Sequence, residues 1–181
     1  MSKVLIVVDM QNDFVTDALR NEEGIKIVPK VVKRVAKAEK AGDKIIFTRD
    51  THGKDYLKTE EGKNLPVPHC VKGSKGWQII DELSEFAAKA DIIDKVTFGS
   101  RKLGKMLKNL NKTEKIDTVE LIGLCTDICV ISNALLAKAF LPDAHIIVDA
   151  SCCAGVTPES HQTALNAMKA CHVEVKNEGK K

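Results

Sequence analysis

Cys129 falls where a β-branched apolar run, Thr118-Val119-Glu120-Leu121-Ile122, gives way to a segment of helix formers from Ser132 to Ala139. The link between them is Gly123-Leu124-Cys125-Thr126-Asp127-Ile128. Thr126 and Asp127 are good helix N-caps, so the expectation is a thiol in the first turn of a helix. There the positive helix end lowers a thiol pKa and favours the nucleophilic thiolate. A buried cysteine acting as a small hydrophobe is the competing account of this residue alone. Two more reactive residues close apolar runs: Asp9 follows Val4-Leu5-Ile6-Val7-Val8, and Lys95 follows Asp91-Ile92-Ile93-Asp94. Singly, Asp9 reads as a turn cap and Lys95 as a solvated cation. At the carboxyl ends of parallel strands all three would share one sheet edge, where open α/β sheets place their sites. A thiolate attacking a carbonyl, a carboxylate relaying the proton and an ammonium balancing the charges make a coherent nucleophilic site.

A second set is Asp50-Thr51-His52 with His69, the latter in Leu65-Pro66-Val67-Pro68-His69-Cys70. Residues two apart in an extended segment face the same side, so Asp50 and His52 can share an ion. Mixed carboxylate and imidazole ligands suit Zn, Mn or Fe. Asp-x-His alone is a weak pattern. Residues 49–76 are long for a loop in a compact domain, which favours a functional segment.

The elements that must position these groups alternate. Continuous apolar strands are expected at 4–8, 44–48, 91–94, 118–122, 145–148 and 173–175. Helices are expected at 27–40, where Val28, Val31, Val32, Val35 and Ala38 recur at helical spacing, then in pieces over 77–90, at 102–109, after Cys129, and from Pro158. With no repeat or linker, residues 1–181 read as one domain. Its expected fold is α/β: a doubly wound parallel sheet of about six strands with helices on both faces.

Composition excludes several classes. Hydrophobic residues are 44% and charged residues 29%, with a net charge of +3, ordinary for a globular protein. The lysines are interspersed with Glu and Asp, so no nucleic-acid partner is expected. No run approaches a membrane span. Val4 to Val8 is too short for a secretory core, and six irregularly placed cysteines then favour reduced thiols and a cytoplasmic protein. Cys152 and Cys153 read as core fillers. His145, His161 and His172 read as structural or solvated, and Trp77 as core more than pocket wall.

The chain resembles the isochorismatase-like cysteine hydrolases over nearly its whole length. Val8-Asp9-Met10-Gln11-Asn12-Asp13-Phe14 is similar to the family's first-strand motif, Lys95 to its lysine, and Thr126-Asp127-Ile128-Cys129-Val130 to its nucleophile turn. The resemblance implies an Asp9, Lys95, Cys129 triad and a cis peptide between Leu124 and Cys125. It also implies an oxyanion hole made by the backbone N–H groups of Cys125 and Cys129. Asp50, His52 and His69 match the metal site of the family's nicotinamidases, which implies a divalent ion, zinc first, that holds the pyridine nitrogen. Certain bacterial members add a glutamate; Glu61 fits that role, with Glu60 the neighbouring alternative. Phe14 matches a ring-packing aromatic. Two departures bear on substrate: Leu65 or Pro66 stands where a Trp or Phe is common, and Val96-Thr97-Phe98-Gly99-Ser100 replaces a Tyr-Ser stretch. The implied activity is nicotinamide hydrolysis in NAD salvage, with a small amide as partner and a homo-oligomer by family habit. A cysteine hydrolase for another small amide, or a non-catalytic metal- or thiol-sensing protein, are the alternatives.

Overall fold

A computed structural model describes residues 2–179 of the chain. Six strands form one parallel sheet: β1 (Ser2–Val8), β2 (Lys44–Asp50), β3 (Asp91–Lys95), β4 (Ile116–Leu124), β5 (His145–Ala154) and β6 (Glu174–Lys176). Their spatial order is β3-β2-β1-β4-β5-β6. The chain thus starts mid-sheet, winds outward to one edge, and returns to wind outward to the other. The direction reverses between β1 and β4, which leaves a crevice beyond their carboxyl ends.

The apolar strands serve two cores at once because successive side chains point to opposite faces. In β1, Val4, Ile6 and Val8 join one core while Leu5 and Val7 join the other. Against the first face lie α5 (Arg101–Thr113), α6 (Ile131–Phe140) and α7 (Pro158–Ala170), through residues such as Leu103, Leu107, Ala134 and Leu165. The opposite face is covered by α2 (Glu22–Ala41) and α4 (Asp81–Ala87), through Val28, Val31, Val35 and Leu83. Two short helices, α1 (Asn12–Val15) and α3 (Glu60–Asn64), lie in the segments after β1 and β2. No described helix is long and apolar enough to cross a membrane.

Several boundaries differ from the sequence expectation for identifiable reasons. The second helix begins five residues before 27, because Asn21 caps it by accepting from Gly24 N at 3.1 Å. Pro29 lies inside that helix, as it does in the expected span. The expected helical pieces over 77–90 reduce to α4; before it, Ile79 instead forms an antiparallel bridge with Gln11. β5 runs six residues past 148, and Cys153 and Ala154 pair with Gly123 and Leu124. Cys152 and Cys153 are both buried, as core filling requires.

The close approach of β1 and β4 depends on Gly123, whose φ is +113° and whose added Cβ would collide with the Val8 carbonyl oxygen. Gly123→Ala is expected to destabilise the protein by about 3 kcal/mol, read as a lowered urea midpoint. An unchanged midpoint would show that β1 and β4 can separate without cost.

Candidate active site

The nucleophile turn is built differently from a capped α-helix. Residues Thr126–Val130 form a π-helical turn that leads into α6, a rare geometry found mostly at functional sites. The Cys125 carbonyl accepts from Ile128 N at 3.1 Å and Val130 N at 3.0 Å. Thr126 and Asp127 therefore lie inside the turn and do not cap it. Their side chains reach to the α7 side instead: Thr126 Oγ1 is 2.7 Å from His161 Nδ1, and the Asp127 carboxylate accepts from Val156 N at 3.2 Å. The peptide between Leu124 and Cys125 is cis.

The strand ends converge as the topology requires. Asp9 follows β1, Lys95 ends β3, and Cys129 follows β4; all three are buried. The Lys95 side chain reaches across the end of β2. Its Nζ lies 2.7 Å from Asp9 Oδ2, 3.2 Å from Asp50 Oδ1 and 3.3 Å from Cys129 Sγ. Asp9 is held by Thr48, whose Oγ1 donates to Oδ1 at 2.6 Å. Its backbone adopts a φ of +48°, a left-handed conformation that Asp tolerates better than most side chains.

Burial shapes the protonation of this cluster. Desolvation, then the Asp9 charge, pushes the Cys129 thiol well above its ordinary pKa, against the pull of Lys95. Burial thus opposes the thiolate that a helix terminus would favour. Desolvation also raises Asp9, despite Lys95, which makes it a stronger base for the thiol proton. For Lys95, desolvation acts downward but the charges of Asp9 and Asp50 outweigh it, so it stays charged.

Asp50, His52, Glu61 and His69 come together beside this cluster, with ligand atoms all within 4.8 Å of one another. His52 Nε2 is 2.8 Å from Asp50 Oδ2 and 3.5 Å from Glu61 Oε1, and His69 Nε2 is 3.5 Å from Asp50 Oδ2. His69 Nδ1 donates to the Val67 carbonyl at 2.8 Å. That bond leaves Nε2 as the lone-pair nitrogen facing the group, the tautomer a metal ligand needs. Desolvation would raise Asp50, but the neighbouring His52 and His69 and the charge of Lys95 hold it far below the usual carboxylate range. Two imidazoles and two carboxylates of this kind fit a borderline divalent ion. Of the two neighbouring glutamates, Glu61 joins the group, whereas Glu60 is exposed and pairs with Lys63 at 3.2 Å. Cys70 lies next to His69 but outside the set.

The long segment after β2 is ordered by residues the sequence patterns did not single out. Gln11 is fully buried and brackets Asp50: its Nε2 donates to the Asp50 and Trp77 carbonyls at 2.9 Å, and its Oε1 accepts from Asp50 N at 2.7 Å. Asp13 Oδ2 accepts from Cys70 N at 2.7 Å, which fixes the backbone beside His69. Both belong to the run Asp9 to Phe14, so the signal lay in the polar residues following a buried strand. Trp77 is buried, donates Nε1–H to Thr51 Oγ1 at 2.9 Å, and carries Arg49 on its ring. It does not line the cavity, whose walls include Phe14, Leu65, His69, Val96, Phe98, Cys125, Ile128 and Cys129. That cavity encloses about 1280 Å³. Phe14 packs edge-on against His69, with ring centroids 5.5 Å apart. Burial pushes the Cys125 thiol up to about 12.

The family model described as "Isochorismatase domain" matches residues 3–177. The nicotinamidase of Schizosaccharomyces pombe is 28% identical over 96% of this chain and 92% of its own. The structure of nicotinamidase/pyrazinamidase from Bacillus subtilis superposes with a TM-score of 0.85 at 28% identity, covering 97% of this chain and 99% of that one. The pyrazinamidase of Pyrococcus horikoshii in complex with zinc gives a TM-score of 0.79 at 29% identity, covering 97% and 98%.

Removing the Asp9 charge while keeping Lys95 should favour the thiolate. Asp9→Asn is therefore expected to move alkylation of Cys129 by iodoacetamide to lower pH, followed by mass spectrometry of the Cys129 peptide. A shift to higher pH would contradict the charge balance described above.

Proposed function

This chain belongs to the isochorismatase family, and from that premise we propose that it is a metal-dependent cysteine amidohydrolase, a nicotinamidase that converts nicotinamide and water to nicotinate and ammonia. The observation that carries this reading is Lys95 Nζ, set 2.7 Å from Asp9 and 3.3 Å from Cys129 beside a group of ligand type. Homologues named as nicotinamidases support the substrate.

Asp9 accepts the Cys129 thiol proton as the sulfur attacks the carboxamide carbon. The backbone N–H groups of Cys125 and Cys129 receive the developing oxyanion. Asp9 returns the proton to the departing nitrogen, which leaves as ammonia and a Cys129 thioester. Asp9 then deprotonates water, which attacks the thioester carbon; nicotinate leaves and the proton returns to Cys129. Lys95 balances the charge that passes between Asp9 and Cys129 and keeps both side chains in register. Asp50, His52, Glu61 and His69 would hold a divalent ion, zinc or alternatively manganese or iron. When bound, that ion supplies an electrophilic anchor for the pyridine nitrogen. Phe14, edge-on to His69, offers the ring an apolar face.

Two measurements test this reading. Wild-type protein should release ammonia from nicotinamide, and Cys129→Ala should lower kcat by at least about a thousandfold. Activity retained in Cys129→Ala would overturn the covalent mechanism. Hydrolysis of other small amides but not nicotinamide would overturn the substrate and leave the thioester chemistry standing. For the ion, His52→Ala should weaken binding by at least about tenfold, read by elemental analysis after dialysis against a chelator. Equal metal content in variant and wild type would refute the ligand set.

A further inference from the structure

One wall of the cavity is the short connection between Lys95 and α5. Val96, Thr97 and Phe98 line the cavity there, and Val96 and Phe98 are exposed. A connection with two exposed apolar side chains has little packing of its own to fix it. Gly99 lets it lie flat on α6, since an added Cβ would come 2.7 Å from Leu136 Cδ1. What ties it down is a fully buried amide. Asn133, in the first turn of α6, donates through Nδ2 to the Phe98 carbonyl at 2.9 Å and to the Cys129 carbonyl at 2.8 Å. Its Oδ1 accepts from Ser100 N at 2.9 Å. Both amide protons go to carbonyls and the amide oxygen meets an N–H, so the orientation of the amide is set by its partners. One side chain thus joins the backbone of the sulfur-bearing residue to the backbone of the facing wall.

We propose that Asn133 is a positioning residue that sets the Phe98 wall at a fixed place relative to Cys129 and so governs how an aromatic amide fits beside the thiol. This rests on the amidohydrolase reading above. The effect is on binding that is equal in the ground and transition states, so its loss raises KM and spares kcat.

The test separates the two halves of the bridge. In Asn133→Thr the shorter side chain can still bond the carbonyl four residues back, that of Cys129. It cannot also reach Phe98 and Ser100. With nicotinamide as substrate, Asn133→Thr should raise KM roughly tenfold and leave kcat within about twofold. In a Phe98→Ala background the same substitution should change KM by less than about twofold, because the wall it positions is already gone. A fall in kcat at unchanged KM, or the same change in both backgrounds, would overturn the proposal. Should Asn133→Thr fail to fold, Asn133→Ser carries the same comparison without the branched methyl.

A readout independent of substrate is the ratio of Cys129 alkylation by N-phenylmaleimide to that by iodoacetamide. A released wall should raise this ratio roughly tenfold in Asn133→Thr, and an unchanged ratio would refute the positioning role. If wild-type protein fails to hydrolyse nicotinamide, the functional reading falls while the alkylation ratio still decides the role of Asn133.

Discussion

The charge of Lys95 is the constraint on which the site depends. Its side chain is wholly buried at the carboxyl edge of the sheet, and an ammonium without water must be matched by anions. Asp50 at the end of β2 and Asp9 after β1 supply them, with the Cys129 sulfur closing the third side. Removing either carboxylate takes a counter-charge from a buried ammonium, so the charged groups act as a unit. The same burial raises both the Cys129 thiol and the Asp9 carboxyl, while Lys95 pulls each of them down.

Asp50 connects this cluster to the ligand group. One carboxylate oxygen faces Lys95 and the other faces His52 and His69. The charge that stabilises the ammonium therefore also orients the imidazoles. Gln11 brackets the Asp50 backbone and Asp13 holds Cys70, so the long segment after β2 is tied to the turn after β1 by buried hydrogen bonds. This tie lets residues separated by many positions present a common ligand set without a regular element between them. It is also why most of that segment has no periodicity to read.

Much of the fold is legible from pattern. Apolar runs such as Val4 to Val8 have the signature of strands covered on both faces, and the observed split of Leu5 and Val7 from Val4, Ile6 and Val8 is the physical form of that run. Asp9, Lys95 and Cys129 are legible because parallel strands carry their last residues to one edge. What misleads is local chemistry whose partner is distant. Thr126 and Asp127 look like caps, yet their acceptors and donors are His161 and Val156.

By itself the sequence determines the order of strands and helices, the two apolar faces and the residue types that reach the sheet edge, because these follow from near-neighbour spacing. The protonation of Cys129, the sharing of Asp50 and the selection of Glu61 over Glu60 are decided only in the tertiary structure. Each depends on distances and burial between segments far apart in the chain, and electrostatic energies change steeply with both. The surroundings of Cys129 show this most plainly: the charged groups beside its sulfur, Asp9 and Lys95, come from other strands and not from its own helix.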